Sequence, residues 1–397
     1  LAGTMALAAV GCGSDASTTN DAPAASTATE TKTETKTETA TETAQAQETS
    51  LEDVKNLNDG KLVIWTLAND LIDFGERFQK KTGVEVETVV IEPANYPTKV
   101  QTALLGGESE PDIIVGEPKM LEDFYDAGFF EDLDAFGAQD YADEIVDYVW
   151  EVGQDADGIQ RAISYQITPA GIYYRRDIAK EVFGTDDPAE VQKKVCDWDT
   201  YRETADELKA AGYQIASSAN DSYRVYSNNV TSKWVVDGKI NIDDNIMKWV
   251  EVSKDLVDAG EVGTHDMWSD DWSKGFYPEG KVFGYFGPAW LVNFSMAADQ
   301  EGSVGNQGGW AATEGPQGFF WGGTWICAAT GTDNAATIKD IMLKLTCDEE
   351  IMKNIVVEDD DFVNNKPAMD AMAQDSSYSS KVLGGQNPLA MYCAGVE

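Results

Sequence analysis

Six of the chain's eleven tryptophans fall between Met267 and Trp325: Trp268, Trp272, Trp290, Trp310, Trp321 and Trp325, interleaved with glycine and proline. Glycine-rich loops pack poorly, and indoles mounted on them make ligand surface rather than core. Covalent chemistry finds less support. Gly275-Phe276-Tyr277-Pro278-Glu279-Gly280-Lys281 follows a phosphate-loop spacing. However, Val282 stands where Ser or Thr would hold magnesium, and Pro278 sits inside the loop, so the segment reads as a turn. Neither G-x-S-x-G nor H-E-x-x-H occurs. Asp155-Ala156-Asp157-Gly158 copies part of a calcium loop, but Gly153 occupies the first ligand position and no Glu closes it, so a hairpin turn is expected. Asp270-Asp271 is no glycosidase signal in a chain with 70 acids. His265 is the only imidazole, and Cys196, Cys327, Cys347 and Cys393 form no C-x-x-C pair. That leaves no zinc-ligand set and points to free, mostly buried thiols. No cofactor, no metal and no enzymatic activity are expected.

The elements that must carry these residues read as α/β. Lys61 to Trp65 is a short apolar strand, followed by a helix that Asn69 or Asp70 caps and Gly83 ends. Val84 to Ile91 is a second strand, Tyr96 to Leu105 a helix, and Asp112 to Val115 a third strand after Pro111. A helix from Lys119 to Ala127 follows. Alternating strand and helix predicts a largely parallel sheet, with ligands beyond the carboxyl ends of its strands. Trp65-Thr66, Ile91-Glu92 and Gly116-Glu117 then share one rim. Strand-like pieces at 162–165 and 171–174, broken by Pro169, mark passage to a second domain. Trp198 to Ala211 and Asp243 to Ala259 are amphipathic helices, with Trp198 and Trp249 as core. Asp237-Gly238 turns a hairpin between 235 and 240. The chain ends without an evident closing helix, and a C-terminal piece is expected to be missing.

The N-terminus carries a different signal. Leu7-Ala8-Ala9-Val10-Gly11-Cys12 is an apolar tail, a small residue and a cysteine, like the end of a lipoprotein signal peptide with Cys12 as the lipidated residue. From Ser14 to about Ser50 the chain is Ala, Thr, Ser, Glu, Lys and Gln, too polar to bury a core, so a disordered tether is expected. About 340 residues remain, enough for two domains. No uncharged apolar run reaches the length of a membrane span. The net charge of −41 argues against nucleic acid or an anionic membrane as partner. Membrane contact is expected only through the lipid, and the protein is expected to be a monomer.

Several segments, in order, resemble the extracellular carbohydrate-binding proteins of ABC importers, the group that includes maltose-binding protein. They are Phe78 to Val86, Pro111-Asp112-Ile113-Ile114, Ala127 to Leu133, Tyr173-Tyr174-Arg175-Arg176-Asp177 and Phe286-Gly287-Pro288-Ala289-Trp290. In the last, Ala289 separates the proline from the indole. The resemblance implies a two-lobed periplasmic-binding-protein-like fold (type II), each lobe a mostly parallel sheet flanked by helices, with hinge strands between. It divides the chain into a signal-peptide end and lipidated Cys (1–12), a tether (13–55), lobe 1 (56–165 plus 324–355) and lobe 2 (166–323 plus 356–397). It implies capture of a mono- or oligosaccharide in the cleft and delivery to the importer's transmembrane subunits, on the extracellular face of a membrane.

Sugars present hydroxyls and an apolar C–H face, so their binders need flat aromatic rings and polar groups that both donate and accept. The platform candidates are Trp65, Tyr223, Trp272, Trp290, Trp321 and Trp325; the polar candidates are Asn69, Glu117, Gln166, Arg224 and Asp271. Of these, Trp290 is expected to face outward from the Gly287-Pro288-Ala289 turn. Two other readings stay open. A polyamine receptor would show a cage of three or four carboxylates with aromatic walls. A cell-surface glycan enzyme or adhesin would hydrolyse or merely hold its glycan.

Overall fold

The apolar run Leu62 to Thr66 is buried apart from half-buried Trp65, and it forms an interior strand of a sheet. In the computed structural model, which describes residues 61–67, 70–92, 95–106, 111–125 and 127–396, this is β1 (Leu62–Thr66). It pairs in parallel with β2 (Val86–Val90), Leu62 opposite Val86, and with β3 (Ile113–Gly116), Ile64 opposite Ile113. The helices Asp70–Thr82 and Tyr96–Gly106 supply the crossovers that parallel strands require. The buried Tyr96 hydroxyl lies 2.5 Å from the carbonyl of Val115 and 3.2 Å from that of Trp65, tying together the ends of β1 and β3. Cys12, the tether and Asn69 lie outside the described residues.

The remaining strands are β4 (Ile163–Ser164), β5 (Pro169–Arg175), β6 (Gln214–Ala216), β7 (Val235–Val236), β8 (Lys239–Ile240), β9 (Val282–Pro288), β10 (Trp310–Thr313), β11 (Phe319–Phe320) and β12 (Trp325–Ala328). They complete two sheets, ordered β2-β1-β3-β12-β4 and β10-β5-β9-β6, with β11 beside the start of β5 and β7-β8 a separate hairpin. The expected parallel character holds in β2-β1-β3. It departs where β12 runs antiparallel to β3 and β4, and in the second sheet, where only β6 and β9 are parallel.

The chain passes between the sheets at 164–169, at 320–325 and near 361–364, and these segments are hydrogen-bonded to one another. Ser164 Oγ donates to the carbonyl of Thr324 at 2.7 Å. Trp321 N donates to the carbonyl of Thr168 at 3.2 Å, and Ile167 N to that of Phe362. The wholly buried Asn364 donates to the carbonyl of Ser164 at 2.9 Å and accepts from Val146 N at 3.0 Å.

Two further expectations change. The last segment is a helix, Leu389–Val396, in which Asn387 caps Leu389 N at 3.0 Å while Leu389 and Tyr392 are buried; the apolar run Leu-Ala-Met-Tyr-Cys-Ala packs rather than trails. Cys196 and Cys327 are free thiols, but Cys196 is exposed at the C-terminal cap of Pro188–Val195 rather than buried. The Asp155 loop is the expected hairpin turn: its carboxylate accepts from Asp157 N and Ile159 N and pairs with Arg161 at 2.8 Å. Among the described residues no helix is long and apolar enough to cross a membrane.

Candidate functional site

β9 ends at Pro288, and the chain turns at once into the short helix Leu291–Ser295. Gly287 permits that turn, because a Cβ there would meet Leu291 Cδ2 at 2.3 Å. Trp290 is thereby held against the third passage of the chain. It is half-buried, and its Nε1 donates to the carbonyl of Trp321 at 3.0 Å. Gly322 and Gly323, which follow Trp321, have φ of +73° and +113°. Only glycine adopts the second value freely, and the pair bends the strand so that Trp321 and Trp290 meet. Their rings lie 5.3 Å apart at 70°.

Trp268, Phe294 and Arg224 complete the group. The Trp268 ring is 5.5 Å from Trp321 and 6.3 Å from Trp290, the latter pair inclined by only 23°. Phe294 stands nearly perpendicular to both Trp268 and Trp290. The Arg224 guanidinium lies 5.2 Å from the Trp321 ring centre. Among the described residues it has no ionic or hydrogen-bonded partner, so its donors remain available. Glu117 reaches the same place from the first sheet: a methyl on Gly322 would lie 3.8 Å from Glu117 Oε1 and 3.8 Å from Trp290 Nε1. The arrangement offers ring faces, fork-shaped donors and a carboxylate acceptor. That set suits a ligand with both apolar faces and hydroxyls.

Thus the structure brings together Trp290, Trp321, Arg224 and Glu117. The other sequence candidates have different surroundings. Trp65 is half-buried at the end of β1 with the Lys99 ammonium 5.0 Å from its ring. Trp272, at 1% exposure, is core: it supports Trp268 from below at 5.1 Å and donates from Nε1 to Asp221 at 2.8 Å. Trp325 is buried in β12 between β3 and β4, with Gly323 against its ring. Gln166 is buried at the passage between sheets, donating to Asp361. Asp271 is exposed and paired with Lys274 one helical turn away. Tyr223 packs edge-on against Trp249, itself half-buried rather than core. The alternation of burial along Trp268 and Trp272, four residues apart, was not readable from residue type. Trp268 and Phe294 were both missed. Phe294 carried a signal, since its spacing of four from Trp290 places both on one helix face.

Burial pushes the Asp221 carboxyl up to about 7, although Trp272 Nε1 and Ser218 N donate to it. Among the described residues, no group of three or more His, Cys, Asp or Glu side chains is placed to hold a metal ion.

Comparison with solved structures gives fold neighbours of low sequence identity. A family 1 extracellular solute-binding protein superposes with a TM-score of 0.70 at 20% identity, covering 85% of this chain and 87% of that one. An ABC-transporter-associated binding protein from B. animalis subsp. lactis Bl-04, solved with β-1,6-galactobiose, gives 0.66 at 21% identity, with 85% and 86% covered. The galacto-N-biose/lacto-N-biose I-binding protein of Bifidobacterium longum, solved with lacto-N-biose, gives 0.65 at 16%, with 85% and 86% covered. Among curated proteins nothing matches. The sequence itself matches the family described as bacterial extracellular solute-binding protein over residues 73–383, a span that holds the second sheet, every strand of the first but β1, and the whole aromatic group. The chain belongs to the bacterial extracellular solute-binding proteins.

Proposed function

We propose that this protein captures a saccharide between its two lobes and delivers it to an ABC importer, acting by binding and not by catalysis. The observation that carries the reading is the group of Trp290, Trp321, Trp268 and Arg224 where the chain passes between the sheets, with Glu117 opposite. Ring faces suit pyranose C–H groups, and a guanidinium with no ionic partner among the described residues suits paired hydroxyls. The saccharides in the related structures, β-1,6-galactobiose and lacto-N-biose, support the same class. A polyamine fits less well: Arg224 and Lys99 rest on Trp321 and Trp65, and they would repel a polycation from the rings it needs.

The lobes are taken as 56–165 with 324–355, and 166–323 with 356–397, closing over the ligand as a hinge motion driven by tighter binding to the closed form. Residues 1–12 and 13–55 are read as a lipid attachment through Cys12 and a tether at the extracellular face of the membrane. Cys12→Ala should then move the protein from the membrane to the soluble fraction; retention at the membrane would contradict the anchor.

The test of the main reading is a thermal-shift series with β-1,6-galactobiose, lacto-N-biose, maltose and spermidine. Binding to the folded state alone stabilises by about 2.7 kcal/mol at a hundredfold excess over Kd. At least one saccharide should raise the midpoint and spermidine should not. A shift with spermidine alone would replace the saccharide reading.

A further inference from the structure

Among the described residues, more than half of the exposed large apolar side chains lie within residues 230–250. They centre on the hairpin of β7 and β8. Every residue of 231–240 is exposed, and none belongs to either core cluster. Local sequence fixes the hairpin's shape. Asp237 and Gly238, at φ of +50° and +73°, make a two-residue turn whose twist matches the strands it joins. Val235 pairs with Ile240 and Val236 with Lys239, and Asn241 N donates to the carbonyl of Trp234 at 2.7 Å. The base is anchored as well. The buried Asp243 carboxylate accepts from Thr231 N and from Ser232 Oγ, each at 2.8 Å. The hairpin thus has a firm base and an uncovered tip. A two-stranded hairpin in water is marginal on its own, and apolar side chains that touch no core add nothing to it. Apolar surface gathered in this way marks contact with another body.

The distribution over two faces says which body. Paired residues share a face, and successive residues alternate. Val235, Ile240 and Ile242 therefore lie on one face, Trp234 and Val236 on the other, with exposures from 46% to 83%. A protein partner, a second copy included, would cover one face and leave the other wet. A layer of lipid headgroups and outer acyl carbons surrounds an inserted hairpin on all sides. Charge points the same way. The chain carries 70 acids against 29 Lys and Arg, yet 231–242 holds Lys233 and Lys239 with Asp237 as its one acid. Among the described residues neither ammonium has an ionic or hydrogen-bonded partner. Two chains of net charge −41 repel one another, whereas this locally basic hairpin complements an anionic surface. Repulsion between that surface and the rest of the protein is screened over about 8 Å at physiological ionic strength.

We propose that hairpin 233–242 is a membrane-contact element, whose tip inserts between the headgroups of an anionic bilayer. Val235, Val236, Ile240 and Ile242 reach the outer acyl carbons. Trp234 lies at the boundary that indoles favour, and Lys233 and Lys239 extend their ammonium groups to lipid phosphates. The expectation of membrane contact through a lipid alone is thereby extended. The inference depends neither on the saccharide reading nor on acylation of Cys12. The contact is weak and reversible, as for a single acyl chain, so it adds to an anchor rather than replacing one.

The test uses the full chain as Cys12→Ala, which cannot be acylated at that residue. Co-sedimentation is measured with vesicles of phosphatidylcholine alone and of an equal mixture of phosphatidylcholine and phosphatidylglycerol. The protein should bind the mixture and bind phosphatidylcholine more weakly. Val235→Ser with Ile240→Ser should weaken binding to the mixture by about tenfold or more. Lys233→Gln with Lys239→Gln should weaken it by about fivefold per lysine and leave binding to phosphatidylcholine unchanged. All three proteins should melt at the same temperature, because the substituted residues touch no core. Binding to neither vesicle would overturn the inference, as would unchanged binding by the serine variant. Equal affinity for the two vesicle types would overturn the anionic surface. A dimer in sedimentation velocity that the serine substitutions abolish, without vesicle binding, would assign the hairpin to a second copy instead.

Discussion

At the scale of single residues, Asp221 sets how the aromatic group responds to pH. It is buried, holds Trp272 through Nε1, and through Trp272 supports Trp268. Desolvation raises its carboxyl to about 7, whereas an unfolded chain loses that proton near about pH 4. The folded state therefore binds more protons between about pH 4 and 7. Its contribution to stability is present below the unfolded value and is lost as pH rises through that window. Urea midpoints at pH 5 and pH 8 should show the wild type losing stability relative to Asp221→Asn as pH rises. A difference between the two proteins that stays constant with pH would contradict the raised carboxyl. The residue scale is also where the sequence was least informative. Glu117, Trp290 and Trp321 were legible because they sit at strand ends or beside Gly and Pro, whereas Arg224, inside the short helix Tyr223–Ser227, carried no such local signal. Trp268 was not, since neither a positive φ in tryptophan nor its exposure follows from residue type. Trp272 and Trp325, expected in the site, belong to the buried core cluster; Trp321 is buried too, at 7% exposure, but packs against Trp290 and Trp268.

At the scale of elements, the segment Phe320 to Trp325 does the positioning. Trp321 N and Ser164 Oγ join it to the first passage of the chain, and Gly322 turns it so that the Trp321 carbonyl meets the Trp290 indole. Space does not forbid a side chain at 322, because the nearest atoms to an added Cβ are 3.8 Å away; the φ of +73° does. Gly322→Ala should therefore cost about 1–2 kcal/mol of stability from the left-handed backbone alone. It should also weaken saccharide binding, because relieving the strain withdraws Trp321 from Trp290. Denaturant unfolding checks the first, and titration the second; unchanged stability would mean that the bend is not fixed by glycine. The helices and strands of the first sheet were largely legible, since Leu62 to Thr66 and Ile113 to Gly116 are β-branched runs bounded by caps and turns. The strand directions of the second sheet were not. They are set by pairings between strands far apart in sequence, such as β5 with β9 and β10, which no local periodicity carries.

At the scale of the whole molecule, two sheets joined by three hydrogen-bonded passages hold an aromatic group on the second sheet beside a carboxylate on the first. A ligand that touches both would be held by two bodies at once, and the closure proposed above would draw on that shared binding. The most direct test of this account is calorimetric titration of the best saccharide from the thermal-shift series into wild type and Trp290→Ala. Trp290 shares its faces with Trp268, Trp321 and Phe294, so its truncation removes the centre of the site. The account predicts one saturable site in the wild type and a loss of about 1–3 kcal/mol, tenfold to over a hundredfold, in Trp290→Ala that still folds cooperatively. Wild-type affinity in a folded Trp290→Ala would contradict it.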